Sequence, residues 1–408
     1  MKRVVITGMA GFSPIGNDLE SALTQLQKYE NSVSLMPEWD MYDGLNTKLG
    51  AAVPDFELPK HYTRKRTRSM GRVSVLATRT CELALEGAGL LDAPILKSGR
   101  AGIAYGSSSG SPDAIGSFAS MLTEHKTDQI KANTYIQMMT HTTSVNIAVF
   151  FGLRGRMIPT SSACTSGSLA LGMAYEAIRC GQQDVMLAGG AEELSATQAA
   201  VFDTLFATST LNETPHRTPA PFDADRDGLV IGEGAASFVL ERLDHAQARG
   251  APIIGEIVGF GINSDGQHVT QPTAETMAIA MKLALSDANV DPGEIGYVNA
   301  HGTATDLGDV AESVATRDAL GHAVPISSLK SYMGHTLGAC GAIEAWLTLD
   351  MQRRNWFAPT INLRTVDPRC TELDYIMNEG RPIETDLVMS NNFAFGGVNT
   401  SLIFKKWI

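Results

Sequence analysis

Short β-branched runs that end in glycine or serine alternate along the chain with longer stretches of helical periodicity. Apolar runs of about four to eight residues between turn residues are typical of buried strands. Strands that alternate with helices favour parallel sheets with helices packed on both faces. We therefore predict a layered α/β fold. The predicted strands are Arg3–Thr7, Ala101–Gly106, Asp184–Gly189, Ala236–Glu241, Ile253–Gly261, Tyr297–Ala300, Val324–Ser327, Leu387–Ser390 and Ser401–Lys405, and the predicted helices are Gly71–Leu91, Thr165–Cys180, Ala274–Ala288, Gly308–Leu320 and Gly338–Arg353.

The turn Ala248–Pro252 is the best candidate for a boundary within the 408 residues. The predicted strands on either side of it form two similar layered units, and no low-complexity linker separates them. A chain of this length allows two or three domains, or one large core built from two parts. We predict an N-terminal half, residues 1–250, and a C-terminal half, residues 251–408, whose similarity fits an internal duplication.

The charge and the cysteine content exclude several classes of protein. A net charge of −12 argues against a nucleic-acid-binding surface. Five cysteines, an odd number without paired spacing, indicate reduced thiols and a cytoplasmic protein. The apolar run that begins at Val4 stops at a Thr-Gly turn, and Val145–Leu153 is interrupted by Asn146 and Gly152. Neither stretch is a signal peptide or a membrane span, so we predict no membrane association.

Cys164 follows a turn of small polar residues, Ser161–Ala163, and precedes a predicted helix. Backbone N–H groups at a helix N-terminus carry about half a positive charge. That environment favours a nucleophilic thiolate, and the same N–H groups can hold the oxyanion formed when sulfur attacks a thioester. A lone cysteine is more often a small buried apolar residue, so this prediction depends on other motifs.

Two histidines lie in turns that follow predicted strands. His301 lies in Asn299–Asp309, and His335 lies in the glycine-containing segment Lys330–Ala339. Functional groups of α/β sheets gather beyond the carboxyl ends of the strands. Each histidine alone would more often be an ordinary loop residue, but a cysteine and two histidines in such turns indicate one shared site.

These motifs resemble those of the elongating β-ketoacyl-[acyl-carrier-protein] synthases, condensing enzymes of the thiolase-like superfamily. The likeness runs nearly from end to end of the chain. It implies a five-layer α/β/α/β/α fold made of two similar halves, in a protein that is generally dimeric. The matching segments are Val4–Gly8, Ala163–Gly167, Ala188–Glu192, Pro221–Gly228, Asn299–Asp309, Lys330–Ala339 and Ser390–Asn399.

The resemblance also assigns roles to individual residues. Cys164 matches the nucleophile that accepts the acyl group, and His301 and His335 match the pair that supports malonyl decarboxylation. Lys330 matches the lysine of the active site, and Glu344 matches its ion-pair partner. The remaining matches are Phe395 as the gate residue that shares the oxyanion hole with Cys164, Thr303 and Thr305 as ligands of the phosphopantetheine arm, and Ser109 and Phe393 as substrate-binding positions.

The implied reaction is a decarboxylative Claisen condensation of an acyl-enzyme with malonyl-carrier protein, which lengthens the chain by two carbons. The implied partners are an acyl carrier protein and a second ketosynthase-like subunit, in a homodimer or a heterodimer. No metal or other cofactor is expected, because the phosphopantetheine arrives on the carrier. The product serves fatty-acid synthesis or a specialised polyene or polyketide pathway.

Three positions depart from the common pattern of the family. Ala394 stands where glycine is usual, which reduces the backbone freedom of the gate. Asp306 stands where proline is common, beside the pantetheine channel. Ser109 stands where some relatives carry a bulky aliphatic residue, which predicts a roomier acyl pocket.

A basic cluster interrupts the acidic sequence between positions 60 and 72. A run of charge is usually a solvated helix face. Lys65 and Arg68, however, align with the family's carrier-docking positions, and opposite charges steer an acidic carrier toward a basic patch. The cluster consists of Lys60, Arg64, Lys65, Arg66, Arg68 and Arg72.

Two other functions compete with this prediction. Gly106–Gly110 satisfies the GxSxG pattern and follows a strand, so a serine hydrolase that uses Ser108 is an alternative. That function would leave Cys164 and both histidine motifs without a purpose. The second alternative is a non-catalytic partner subunit of the chain-length-factor type, but such subunits lack the nucleophile.

Overall fold

The computed structural model describes residues 1–408. Its strands are β1 Val4–Phe12, β2 Ser34–Leu35, β3 Leu49–Ala51, β4 Ala101–Gly106, β5 Met157–Thr160, β6 Val185–Glu192, β7 Ile231–Gly232, β8 Gly234–Arg242, β9 Gly255–Ser264, β10 Ile295–Asn299, β11 Pro325–Ser327, β12 Trp356–Phe357, β13 Asp374–Tyr375, β14 Arg381–Pro382, β15 Leu387–Ala394 and β16 Val398–Lys406.

The helices separate most of these strands. None of them combines the length and the apolar character that a membrane-spanning helix needs. The α-helices are α1 Leu19–Lys28, α2 Arg64–Thr67, α3 Arg72–Gly87, α4 Pro112–Glu124, α5 Ala132–Met138, α6 Thr142–Phe151, α7 Ser166–Arg179, α8 Ala196–Asp203, α9 Leu243–Ala248, α10 Ala274–Ala288, α11 Asp306–Leu320, α12 Lys330–Met333 and α13 Cys340–Arg354.

The main sheet repeats one topology in two halves. The first half has the order β5-β4-β6-β8-β1 and the second has the order β11-β10-β15-β16-β9, with β13 at its edge. When the five strands of each half are numbered in chain order, both halves read 3-2-4-5-1. The halves join where β1 pairs with β9. The repeated order confirms a fold of two similar halves, whereas the division at residue 250, in the link between α9 and β9, stays a prediction.

Helices cover both halves and also fill the space between them. α7 and α13 contact each other and contact strands of both halves, so they form the middle layer. α3 and α6 pack on the first half, and α10 packs on the second half and on α11. Cys340–Gln352 of α13 are buried without exception, as expected of a helix that is covered on all sides. Gly167 of α7 lies so close to α13 that an added Cβ would be 2.8 Å from the backbone nitrogen of Ala342.

The prediction of parallel sheets holds for only part of the main sheet, because both halves combine parallel and antiparallel pairs. β8 runs antiparallel to β6 and β1, and β16 runs antiparallel to β15 and β9. β15 and β16 are joined by Phe395–Gly397 alone. A connection this short can link only antiparallel strands, since parallel strands need a crossover of about a dozen residues or more.

Candidate active site

The turn between β5 and α7 places Cys164 at the floor of a cavity of about 520 Å³. Ala163, just before it, has a left-handed backbone with φ of 49°. Ser166 holds the turn, because its hydroxyl donates to the Ala163 carbonyl and accepts from the Ser162 N–H. Strained residues persist where the surroundings fix them, and they are common at active sites. The turn therefore presents the sulfur of Cys164 to the cavity.

The prediction that Cys164 rests as a thiolate is wrong. Burial raises the pKa of its thiol to about 11, and the positive charge of Lys330 and the backbone N–H groups of Phe395 and Cys164 offset this only partly. Helix α7 begins at Ser166, two residues after the cysteine. Burial also raises the pKa of the Cys81 thiol, to about 12, but there only the Ser237 hydroxyl offsets it, with no lysine or backbone N–H group.

His335 faces the sulfur with a ring nitrogen that carries a hydrogen. Its Nε2 lies 3.0 Å from Sγ of Cys164, and its Nδ1 is 3.3 Å from the backbone N–H of Leu337, which donates to it. Burial and the charge of Lys330 hold the pKa of His335 well below its usual range, so the ring is neutral. A neutral imidazole carries one hydrogen, and an Nδ1 that accepts leaves that hydrogen on Nε2.

His301 also carries its ring hydrogen on Nε2, because its Nδ1 accepts hydrogen bonds. Its Nδ1 lies 3.2 Å from Nζ of Lys330 and 3.4 Å from the amide nitrogen of Asn392, both of which are donors. Burial and the neighbouring Lys330 hold its pKa well below its usual range. The two imidazole rings lie 5.2 Å apart and at 88° to each other. Two neutral imidazoles thus offer Nε2–H donors beside Cys164.

A buried ion pair fixes the lysine that orients His301. Nζ of Lys330 donates to Glu344 and, over 2.7 Å, to the carbonyl of His301. Burial would lower the pKa of Lys330, but the acidic groups around it, with Glu344 foremost, together outweigh burial and raise the pKa, so the lysine stays charged. Asn392 donates to the other oxygen of Glu344 at 2.7 Å.

The gate turn supplies the second backbone donor to the sulfur. The N–H groups of Phe395 and of Cys164 itself both lie near enough to the sulfur to lower the pKa of the thiol. The ring of Phe395 packs on Phe202, with centroids 5.1 Å apart. Two N–H groups that converge on a reacting atom are the arrangement that stabilises an oxyanion.

The cavity also receives the gate residue and all the positions that the resemblance assigns to the pantetheine arm and the substrate except Ser109. Thr303, Thr305, Phe393 and Phe395 all line it. The hydroxyls of Thr303 and Thr305 lie 2.9 Å apart. The structure thus brings these residues together with Cys164 and both histidines.

Two family models match consecutive parts of the chain. The model of the β-ketoacyl synthase N-terminal domain matches residues 1–246, and the model of the β-ketoacyl synthase C-terminal domain matches residues 254–364. The chain belongs to the β-ketoacyl synthase family.

Full-length relatives agree with this membership. 3-Oxoacyl-[acyl-carrier-protein] synthase 2 of Vibrio harveyi is 37% identical over 413 residues, which cover 99% of each chain. A crystal structure of a β-ketoacyl synthase from Burkholderia phymatum STM815 is 59% identical, covers 100% of both chains and has a TM-score of 0.99. The ishigamide ketosynthase/chain length factor is 30% identical over 100% of both chains, with a TM-score of 0.89. The predicted family, thiolase-like fold and condensing-enzyme class are confirmed.

Ser109 and Ser108 lie outside the cavity, in a separate hydrogen-bond network. Ser109 accepts from the Gln198 amide at 2.9 Å, and Ser108 donates its hydroxyl to the buried carboxylate of Glu192. No histidine is among the hydrogen-bond partners of Ser108, and its hydroxyl is directed to Glu192, away from the cavity that holds both histidines. The serine-hydrolase alternative is therefore disfavoured, because a serine nucleophile is ordinarily activated by a histidine base.

The basic cluster divides into free and occupied side chains. Lys65 and Arg68 are exposed and do not line the cavity. Arg66 lies over the ring of Phe150, 3.6 Å from its centroid. Arg72 donates to both oxygens of the buried Glu233, at 2.9 and 2.6 Å, so it belongs to the fold and not to a docking face.

Glu312 and Asn392 contribute to the site although the sequence analysis assigned neither of them a role; Asn392 lies within the matching segment Ser390–Asn399, and Glu312 lies in no motif. Glu312 accepts the backbone N–H groups of His301 and Gly302 at 2.7 Å each, which fixes the loop that carries His301. Burial raises the pKa of Glu312 to about 8. Asn392 contacts both His301 and Glu344, as described above. The only signal for Glu312 in the sequence is its position eleven residues after His301, one turn into a predicted helix.

A second clamp holds the loop of the two threonines. The buried guanidinium of Arg226 donates to the carbonyls of Thr305 and Asp306 at 3.1 and 2.6 Å. Asp309 accepts the N–H groups of Thr303 and Ala304, each at 3.1 Å. Ala304 has a left-handed backbone with φ of 64°, which this pair of contacts keeps in place.

The two unusual positions near the mouth have defined surroundings. Asp306 is the first residue of α11 and pairs with the exposed Arg369 at 2.5 Å. Ala394 ends β15, and Gly396 and Gly397 provide the positive φ angles of the gate turn, 89° and 71°. The turn therefore keeps glycine where its conformation requires it, in spite of the alanine before it.

The ligand atoms of Cys164, His301 and His335 lie within 4.8 Å of one another, close enough to bind a metal ion. A metal on Nε2 would need the ring hydrogen on Nδ1. Both Nδ1 atoms face donors, from Leu337 in one case and from Lys330 and Asn392 in the other. The surroundings of the cluster therefore suit hydrogen-bond donation from Nε2 and oppose a metal site.

Proposed function

We propose that this condensing enzyme joins an acyl group held on Cys164 to malonyl-carrier protein by a decarboxylative Claisen condensation. The observation that carries the proposal is the grouping of two neutral imidazoles and two nearby backbone N–H groups about one buried sulfur. Two separate sets of donors can hold two oxyanions, which is what a reaction with an acyl transfer and a decarboxylation requires.

The first half-reaction moves the acyl group to the enzyme. The sulfur of Cys164 attacks the thioester carbon of the acyl-carrier, and the carbonyl oxygen becomes an oxyanion held by the N–H groups of Cys164 and Phe395. The carbon–sulfur bond to pantetheine then breaks, and the pantetheine thiol leaves with the proton that Cys164 gives up. Because the pKa of Cys164 is about 11, the N–H of His335 and the charge of Lys330 help by stabilising negative charge as it forms on sulfur.

The second half-reaction forms the new carbon–carbon bond. The malonyl carboxylate leaves as carbon dioxide, and its bonding electrons form an enolate whose oxygen accepts hydrogen bonds from His301 and His335. The enolate carbon attacks the acyl-Cys164 carbonyl, and the oxyanion again lies between Cys164 and Phe395. Its collapse expels the Cys164 thiolate, which takes one proton from the solvent, and releases a carrier-bound product two carbons longer.

The partners and setting follow from this reaction. The carrier delivers its phosphopantetheine past Thr303 and Thr305, and the chemistry uses no resident metal or redox group. We also propose that the halves 1–250 and 251–408 divide the work, since the first supplies Cys164 and the second supplies His301, Lys330 and His335. The enzyme acts in the cytoplasm, as its cysteine content predicts, and as a homodimer or as a heterodimer with a ketosynthase-like subunit.

A non-catalytic chain-length-factor role is disfavoured by the assembled cysteine and histidines. Incubation with a panel of acyl-carriers and malonyl-carrier tests the proposal, with mass spectrometry of the carrier-bound products. We expect products two carbons longer, which disappear in Cys164→Ala. Products that persist in Cys164→Ala, or no product with any acyl group, would refute the function. The preferred acyl group will distinguish fatty-acid synthesis from a polyene or polyketide pathway.

A further inference from the structure

The backbone carbonyl of Cys164 lies just outside the hydrogen-bond ladder of α7. The first bond of that ladder runs from the N–H of Leu169 to the carbonyl of Thr165, over 2.8 Å. No backbone N–H donates to the carbonyl of Cys164, one residue earlier, although this residue is buried. Buried carbonyl groups are nearly always paired, so this one needs a donor from a side chain.

The thiol of Cys340 is that donor. Cys340 is the first residue of α13 and is fully buried. Its Sγ lies 3.1 Å from the carbonyl oxygen of Cys164, and no other side chain donates to this oxygen. Burial holds the pKa of Cys340 well above its usual range, so the thiol keeps the hydrogen that the bond requires. A thiol is a weak donor, but here it is the one partner that the carbonyl has.

The same thiol is also joined to the histidine side of the site. The amide nitrogen of Asn392 lies 3.7 Å from Sγ of Cys340 and 3.4 Å from Nδ1 of His301. Cys340 thus stands between a residue that orients His301 and the backbone of the nucleophile. Because Cys164 comes from the first half of the chain and the other three residues come from the second, this contact ties the two halves together at the reacting sulfur.

The position of the Cys164 carbonyl affects the position of the sulfur. Both groups branch from the same Cα, so a carbonyl that is held in place restricts where Sγ can lie. Sγ has to stay 3.0 Å from Nε2 of His335 and near the N–H of Phe395. A displacement of about 1 Å at a reacting atom can slow a reaction about 100-fold. A weak bond to this carbonyl can therefore have a large effect on the rate.

We propose that Cys340 is a positioning residue whose thiol holds the carbonyl of Cys164 and so directs the sulfur toward the thioester carbon. This inference rests on the proposed function, in which Cys164 is the nucleophile. No bond to Cys340 forms or breaks in the reaction, since it acts through Cys164 alone. Steps that take place on the sulfur depend on Cys340, whereas the decarboxylation, which uses His301 and His335, does not.

The test compares Cys340→Ala with Cys340→Ser and with Cys81→Ala. Serine keeps a donor in nearly the same volume, and alanine removes it. Cys81 is a matched control, because its thiol is fully buried, donates to the Ser237 hydroxyl at 3.3 Å and does not line the cavity. Two rates are measured. The first is acyl transfer from acyl-carrier to Cys164 in a single turnover, by mass spectrometry of the protein. The second is carbon dioxide release from malonyl-carrier, with each change added to Cys164→Gln.

We expect Cys340→Ala to slow acyl transfer about 10- to 100-fold. Cys340→Ser should recover most of that loss, since its hydroxyl also donates, and Cys81→Ala should match the unmodified enzyme. Carbon dioxide release should be the same with and without Cys340→Ala. If Cys340→Ala does not fold, Cys340→Val takes its place, because valine fills the position without a donor.

Four results would overturn the inference. Acyl transfer at the normal rate in Cys340→Ala would remove the thiol from the mechanism, and an equally slow Cys340→Ser would show that only its volume matters. A parallel loss of carbon dioxide release, or an equal loss in Cys81→Ala, would show that the site or the fold is loosened as a whole. If the unmodified enzyme accepts no acyl group on Cys164, the proposed function itself is refuted instead.

Discussion

Removal of Lys330 tests how the buried ion pair supports the site. Lys330 and Glu344 are both fully buried, so Lys330→Met leaves the Glu344 carboxylate without its cation. An uncompensated buried charge costs about 3–5 kcal/mol. Asn392 still donates to Glu344, so we expect the lower end of that range in the free energy of unfolding. Urea denaturation of the unmodified enzyme and the variant measures the difference.

The loss of stability should depend on pH in a definite direction. Without Lys330, burial holds the pKa of Glu344 above its ordinary value of 4.5. A folded-state pKa above the unfolded one gives stability that is complete below the unfolded pKa and is lost as pH rises through the folded one. The deficit of Lys330→Met should therefore be smaller at pH 5 than at pH 8. A deficit that shrinks as pH rises, or no deficit, would refute this reasoning.

The double variant Lys330→Met/Glu344→Gln separates stability from catalysis. It removes both charges, so the unfolding free energy should recover most of the loss. Condensation should stay on the order of 100-fold slower, because Nδ1 of His301 has lost its ammonium donor and only the longer contact from Asn392, at 3.4 Å, is left to fix the Nε2–H tautomer. A double variant that regains both stability and condensation would show that Lys330 is only structural.

Three further predictions concern single side chains. Of the three buried thiols, Cys164 should be the first that iodoacetamide alkylates, and the rate should rise about tenfold per pH unit below its pKa of about 11. A peptide map in which Cys81 or Cys340 is modified earlier would contradict this. Arg226→Lys should raise KM for pantetheine thioesters about 10-fold or more, because the variant loses the two contacts with backbone carbonyls. Arg369→Gln is the control, and an unchanged KM in Arg226→Lys would show that Arg226 has no part in binding the pantetheine arm. Lys65→Glu/Arg68→Glu should slow acylation by acyl-carrier at low salt but not by N-acetylcysteamine thioesters, and an equal loss with both would assign these residues to the fold.

The layered fold could be predicted because each central strand is a short apolar run that ends in a turn. All nine predicted strands occur, and the predicted helix Ala274–Ala288 has the observed bounds. β5 was missed, since Pro159 and its partly exposed side chains are typical of an edge strand and give no apolar run. The antiparallel strands were missed because alternation reports which elements occur and not their directions.

The catalytic centre could be predicted in its members but not in its electrostatics. Motifs place Cys164, His301 and His335 at turns, but the resting state of the thiol depends on how deeply the turn is buried. The tautomers depend on contacts as specific as the N–H of Leu337, which no residue type reveals. The role of Arg72 could not be predicted either, because its partner Glu233 is 161 positions away in the sequence. Nothing in the neighbouring sequence distinguishes Arg72 from an arginine without a partner.

The release of carbon dioxide from malonyl-carrier by Cys164→Gln tests the central claim most directly. The glutamine amide imitates an acylated sulfur, so this variant should decarboxylate malonyl-carrier without forming a condensation product. If His301 and His335 hold the enolate through their Nε2–H groups, adding His301→Ala or His335→Ala should slow the release about 100- to 1000-fold. Release that continues at the same rate without either histidine would contradict the account.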